Sequence, residues 1–256
     1  MRRLLVSITL LLICSLAYGQ VSTNVLLRVF RFESGDRAGT AFTVEVDRQQ
    51  YVITARHNLP KPEVNVDVKL FLDSAWRSFK ARAIYPDKTS VDIVALDVGQ
   101  KVTVDFPLEP TSKDAILGQQ VYFVGYPWGL GSRGGLPVGV AEFPFVKSGV
   151  LSAMDSRQQD SIIFYVDGDN NPGFSGGPIV FRHSKSGEYQ VAAVVQGYHN
   201  EAFPVLKEKD LQNPKAKAYE GLYVRGNSGI VVGYSIKHIV DAIQKDAIHR
   251  KRMPAN

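Results

Sequence analysis

Asn171-Pro172-Gly173-Phe174-Ser175-Gly176-Gly177-Pro178 runs directly into Ile179-Val180-Phe181, and these eleven residues decide how the chain is read. A serine hydroxyl is a poor nucleophile. To do chemistry it needs a base, a group that orients the base, and backbone donors for the developing oxyanion. Three glycines around Ser175 free the backbone for unusual dihedrals and allow another segment to come close. The N–H groups of Gly173 and Ser175 are then placed to serve as oxyanion donors. Gly176-Gly177-Pro178 is equally a plain turn before a strand, so the stretch is a motif that needs its context.

The context lies upstream. Thr54-Ala55-Arg56-His57 ends a strand-like run, preceded by the strand opening Gly39-Thr40-Ala41-Phe42. None of the other histidines, His183, His199, His238 and His249, follows a strand in a comparable setting. Ser90-Val91-Asp92 stands directly before the apolar run Ile93-Val94-Ala95-Leu96, which favours Asp92 over its neighbours Asp87 and Asp97 as the orienting acid. All three are also ordinary candidates for turn or strand-edge carboxylates.

Elsewhere the pattern is one of short apolar runs with period-two alternation, broken by Gly, Pro, Asp and Asn. Strands are expected at 25–32, 40–46, 51–54, 66–72, 79–85, 93–98, 120–125, 147–154, 162–166, 178–181, 191–198, 222–225 and 230–234. That number of strands suggests two barrels or one large sandwich. One helix closes the chain, with Ile236, Ile239, Val240, Ile243 and Ala247 at helical spacing and Ser235 placed to cap it. Residues 127–144, with five glycines and three prolines, and the charged residues 199–220 read as long loops.

In the order His57, Asp92, Ser175, these segments resemble the trypsin-like (chymotrypsin-fold) serine proteases, and more closely the HtrA-like bacterial branch. Residues 118–127, 148–153 and 229–236 resemble matching HtrA segments and extend the likeness over nearly the whole chain. The resemblance implies an all-β fold of two six-stranded antiparallel β-barrels with a C-terminal helix and the site between the barrels. His57 would be general base and then general acid, Asp92 would orient it, and Ser175 would form an acyl-enzyme during peptide-bond hydrolysis. Residues 20–115 would form the first barrel and 116–256 the second, including a closing helix at 235–251. Asp169, six residues before Ser175, would be the floor of the primary pocket and favour Lys or Arg in the substrate. As a solvated turn, 167–171 explains the same residues. The strand ending in Gln196 and Gly197 would be the wall on which an extended polypeptide substrate pairs.

The chain also departs from the family. Arg56 puts a long cation beside the base, which either alters its titration or turns outward. Phe174 replaces the aspartate that receives a freed N-terminus in animal trypsins, so that activation route is not expected. About twenty residues follow Tyr234, which leaves no expectation of a PDZ module. HtrA-like relatives form homo-oligomers through N-terminal segments, and the same assembly is open to this chain.

Two rivals are kept. Gly173-Phe174-Ser175-Gly176-Gly177 fits the Gly-x-Ser-x-Gly elbow of an α/β-hydrolase esterase, but that fold needs a helix behind the serine and the acid and histidine after it. Here a strand follows. The other rival is a catalytically impaired trypsin-like fold acting as a binding module.

Arg2-Arg3, an apolar run over 4–17 and Ala17-Tyr18-Gly19 read as a secretory leader spanning residues 1–19. The run is too short to anchor the chain in a bilayer, so the expectation is an exported protein, periplasmic or extracellular. The single cysteine, Cys14, lies inside the leader, leaving no thiol for a disulfide or a metal. No histidine spacing suits a metal either, so no cofactor is expected. Without the leader, 28 basic residues face 25 acidic ones. That balance lacks the basic, aromatic-lined patch of a nucleic-acid binder.

Overall fold

The computed structural model describes residues 21–104, 106, 108–132, 142–156, 162–207, 212–213, 215, 217–219 and 221–252. The expected leader lies outside the described residues, as do 133–141 of the glycine-rich stretch and seven positions within 199–220, namely 208–211, 214, 216 and 220.

Strand formation begins later than the apolar pattern suggests. A helical turn, α1 (Thr23–Leu26), occupies the start of the expected strand at 25–32, and β1 runs over Val29–Ser34. Fully buried Arg28 donates from Nε back to Asn24 Oδ1 in this turn at 3.0 Å, and its other nitrogens donate to Thr43, Glu45 and the Val104 carbonyl, which ties the turn to the rest of the fold. β2 (Arg37–Val46), β3 (Gln49–Thr54), β4 (Asn65–Leu72), β5 (Ala75–Ile84) and β6 (Val94–Asp97) follow. They close with β1 into a six-stranded antiparallel barrel in the order β1-β2-β3-β6-β5-β4. The hairpin turns Asp47-Arg48 and Asp73-Ser74 have positive φ at both positions, between 47° and 69°. That geometry matches the right-handed twist of the strands they join.

β7 (Glu109–Pro110) is a two-residue strand that pairs in parallel with Gln190 and Val191. β8 (Gln120–Gly125), β9 (Phe145–Asp155), β10 (Ile163–Asp167), β11 (Pro178–Arg182), β12 (Tyr189–Pro204) and β13 (Tyr223–Ser235) then form the second antiparallel barrel. It closes where β11 pairs with both β8 and β12. The two runs expected at 222–225 and 230–234 are one strand, and β12 continues into the charged stretch as far as Pro204. Asn200 to Pro204 pair with Asn227 to Tyr223 in an exposed ribbon. Both faces of the ribbon are wet, so its sequence carries no alternation.

Each barrel has its own interior. Phe32, Ala41, Val52, Leu70 and Leu96 fill the first, and Phe123, Leu151, Phe164, Phe174 and Ile179 fill the second. A third apolar layer joins the barrels, drawing Val44, Ile53 and Ala95 from the first and Val124, Val180 and Val194 from the second. This explains why 51–54 and 93–96 read as continuous apolar runs: one face lines a barrel, the other the seam. The closing helix, α2 (Lys237–Arg252), docks on the seam through Ile239 and Ile243, and Ser235 Oγ accepts the Lys237 N–H at 3.3 Å.

His238 on α2 accepts the Ile162 N–H at Nε2, 2.9 Å away. Burial holds its imidazole below the ordinary value of 6.5, with the nearby Asp241 charge opposing. The unfolded chain therefore takes up this proton first. Stability is expected to fall as pH drops below about 6.5 and to level off below the folded value. Urea melts at pH 7.5 and 5.5 check this: His238→Gln, which keeps an acceptor, should lose less stability between the two pH values than the wild type.

Candidate active site

The end of β3 delivers the candidate base. The chain leaves β3 at Thr54 and enters a single 3-10 turn, Arg56–Asn58, which carries His57. Asp92 sits two residues before β6 and meets it with both carboxylate oxygens. Oδ2 is 2.6 Å from His57 Nδ1, and Oδ1 accepts the His57 backbone N–H at 2.9 Å. A carboxylate facing Nδ1 assigns the proton there and leaves Nε2 as an acceptor. Arg56 does not face the imidazole: it donates to the Thr89 carbonyl at 3.1 Å and lies 5.3 Å over the Tyr85 ring. Close behind the pair, burial raises the Tyr234 phenol, and the negative charge of Asp92 adds to the effect.

Ser175 lies in the turn between β10 and β11. Gly173 and Gly176 have φ of +105° and +88°, and a Cβ would come within 2.4 Å of the Tyr126 carbonyl at the first and 2.2 Å of the Thr40 carbonyl at the second. Only glycine satisfies both the dihedral and the approach. The two peptides that carry the expected oxyanion donors are each held by their carbonyls, Pro172 by the Trp128 N–H at 2.8 Å and Phe174 by the Gly177 N–H at 2.9 Å. Because a trans peptide points its C=O and N–H in opposite directions, the N–H groups of Gly173 and Ser175 face the other way. Neither makes a hydrogen bond among the described residues.

A buried polar clasp from the first barrel secures this turn. Thr40 donates its N–H to the Ser175 carbonyl at 2.9 Å and its hydroxyl to the Gly173 carbonyl at 2.6 Å, while accepting the Tyr126 N–H at 3.0 Å. Asn58 Nδ2 donates to the Ser175 carbonyl at 3.0 Å and to Thr54 Oγ1 at 2.9 Å. Thr40 is wholly buried. Thr40→Val would orphan the Gly173 carbonyl and the Tyr126 N–H, at about 1–3 kcal/mol each. Urea denaturation should show a loss of about 2–6 kcal/mol, on the same accounting.

Ser175 Oγ donates to the Gln196 carbonyl at 3.0 Å, and no hydrogen bond joins it to His57. Gln196 falls where the β12–β13 register shifts between Val195 and Gly197, and a Cβ on Gly197 would meet open space. Asp169 is brought to the same side, but its side chain is 73% exposed and already engaged. Its Oδ1 accepts from Asn227 Nδ2 at 3.1 Å, and its Oδ2 lies 3.7 Å from Lys147 Nζ. Lys147 also donates to the Asp169 carbonyl at 2.6 Å and to Asn171 Oδ1 at 2.5 Å. Phe174 faces inward, wholly buried, edge to face with Phe123 at 5.3 Å. Thr40, Asn58, Trp128 and Lys147 are not singled out by the sequence pattern. Their one signal is polarity inside otherwise apolar runs, as with Thr40 and Thr54, or adjacency to the base, as with Asn58.

Comparison with known proteins follows the same outline. No curated protein sequence matches the chain. Among solved structures, an inactive mutant form of Rv3671c from M. tuberculosis H37Rv superposes with a TM-score of 0.53 at 18% identity, covering 94% of this chain and 96% of that one. The Rv3671c protease in its inactive form gives 0.52 at 18%, covering 87% and 90%. The HtrA-type protease AlgW, solved with a tripeptide, gives 0.54 at 17%, covering 88% of this chain and 62% of AlgW. At these identities the likeness is one of fold. The model of the trypsin-like peptidase domain matches residues 39–186, more than half of the sequence and a span that holds His57, Asp92 and Ser175. The chain belongs to the trypsin-like peptidase family.

Proposed function

We propose that the protein is an exported serine endopeptidase that cleaves polypeptides through a His57-Asp92-Ser175 triad. The observation that carries this reading is the pairing of both Asp92 oxygens with His57, on the same cleft as a serine turn whose two oxyanion N–H groups are unspent. Ser175 leaves the Gln196 carbonyl, passes its proton to His57 Nε2 and attacks the substrate carbonyl. Asp92 stabilises the imidazolium that results, and the N–H groups of Gly173 and Ser175 receive the oxyanion. His57 then protonates the leaving amine, and water releases the acyl-enzyme by the same route in reverse. An extended substrate lies along β12 at Gln196 and Gly197, and Asp169 reaches a basic side chain only in competition with Lys147. Export is supported by the leader-like residues 1–19, and no helix among the described residues is long and apolar enough to cross a membrane.

The serine bond to Gln196 in place of His57 favours a second reading, a trypsin-like fold that binds peptides without cutting them. A fluorophosphonate probe separates the two. Wild type is expected to become labelled on Ser175, as located by peptide mass mapping, with no labelling of Ser175→Ala. Folded wild type that resists the probe would establish the binding module instead.

A further inference from the structure

Arg31 stands on β1, outside the nucleophile turn, yet its side chain is only 18% exposed and grips three other segments. Nη1 donates to the Gly129 carbonyl at 3.2 Å. Nη2 lies 3.0 Å from the carboxylate of Glu142, itself 6% exposed. The guanidinium plane rests 3.7 Å from the Phe71 ring centre, with Trp76 at 5.5 Å, so the β4–β5 hairpin closes over it. A planar, permanently charged guanidinium can stack on a ring, donate a hydrogen bond and hold an ion pair at once.

Gly129 and Glu142 stand on two stems joined by backbone hydrogen bonds between Ser132 and Phe143, at 2.8 and 3.0 Å. Arg31 thus holds both stems to the first barrel. The Gly129 stem continues into the site: Pro127–Gly129 form a 3-10 turn, and the Trp128 N–H there is the donor that holds the Pro172 carbonyl. Trp128 makes this contact at φ +51°. For a residue with a Cβ that conformation costs about 1–2 kcal/mol, so the turn needs an external hold. The Gly129 carbonyl, next in the chain, is where Arg31 supplies it.

We propose that Arg31 is a positioning residue for the oxyanion hole: gripping Gly129 and Glu142, it keeps the Trp128 N–H on the Pro172 carbonyl and thereby keeps the Gly173 N–H aimed as a donor. It touches neither substrate nor the reacting atoms. The β4–β5 hairpin, through Phe71 and Trp76, becomes part of the support of the site. The proposal rests on the acyl-transfer reading of Ser175.

The test is the rate of labelling of the full chain by an alkyl fluorophosphonate, followed against pH. Wild type that does not label overturns the acyl-transfer reading and the proposal with it. Given labelling, Arg31→Ala is expected to react about 10- to 100-fold more slowly, within the range for impairing one oxyanion donor. Arg31→Lys should fall between the two, and the midpoint of the acid limb should not move, since His57 and Asp92 are untouched. A general loosening of the site would shift that midpoint. Labelling of Arg31→Ala at the wild-type rate, or a slowed rate with a displaced midpoint, overturns the positioning role while leaving the acyl-transfer reading intact. Should Arg31→Ala not fold, Glu142→Gln, which removes the charge on the second stem, is expected to slow labelling several-fold. A wild-type rate in that variant overturns the proposal equally.

Discussion

Asp92→Asn is expected to slow acylation of Ser175 about 10⁴-fold. The substitution is nearly isosteric, so the turn before β6 should keep its shape, and the amide oxygen can still accept the His57 backbone N–H that Oδ1 accepts at 2.9 Å. The remaining group is an NH₂ where Oδ2 now lies 2.6 Å from His57 Nδ1. Two donors cannot face each other, so the imidazole moves its proton to Nε2, the atom that accepts from Ser175 in the proposed mechanism. The loss corresponds to about 5.4 kcal/mol of transition-state stabilisation, at 1.36 kcal/mol per tenfold. Fluorophosphonate labelling of the variant beside wild type measures it, with a melting curve to show that the fold survives. A loss smaller than tenfold would remove Asp92 from the mechanism.

A large loss of stability is expected at Arg28→Met, about 3–5 kcal/mol in urea unfolding, the range for breaking a buried ion pair. Arg28 is wholly buried and pairs with Glu45 at 2.9 Å. It also donates to Asn24, to Thr43 Oγ1 at 3.3 Å, to the Val104 carbonyl at 2.8 Å and to the Phe106 carbonyl. Methionine fills much of the volume and satisfies none of these acceptors. It also frees the connector between the barrels from its anchor at Arg28, in the turn just ahead of β1. Replacing Glu45 with leucine in the same chain should restore part of the loss, because the stranded carboxylate is then gone.

The candidate residues His57, Asp92 and Ser175 could be picked out in the sequence because the proposed chemistry imposes local signatures. A glycine-framed serine before a strand, a histidine at a strand end and an aspartate heading an apolar run can be read without long-range information. The barrels follow from the spacing of strands, since period-two burial is a local property. What supports the site was not legible for the opposite reason. Thr40 meets the Gly173 carbonyl across 133 positions of sequence and Asn58 meets that of Ser175 across 117, and a threonine in a strand needs no special explanation. Lys147 reads as an ordinary exposed strand residue until the fold carries it to Asp169. α1 looks like strand because Val25 and Leu26 are apolar, and only the buried Arg28 makes a helical turn the better solution. β7 is too short to have a period at all.

The seam between the barrels determines how this cleft can work. Val44, Ile53, Val124, Val180 and Val194 form one apolar layer across it, sealed by Ile239 and Ile243. Rocking one barrel away from the other would bring that layer into contact with water, and large apolar interfaces resist such movement. The two barrels are therefore expected to keep their relative placement whether or not a polypeptide is bound, so that on the proposed reading recognition rests on a preformed surface beside Ser175 and not on one barrel swinging toward the other.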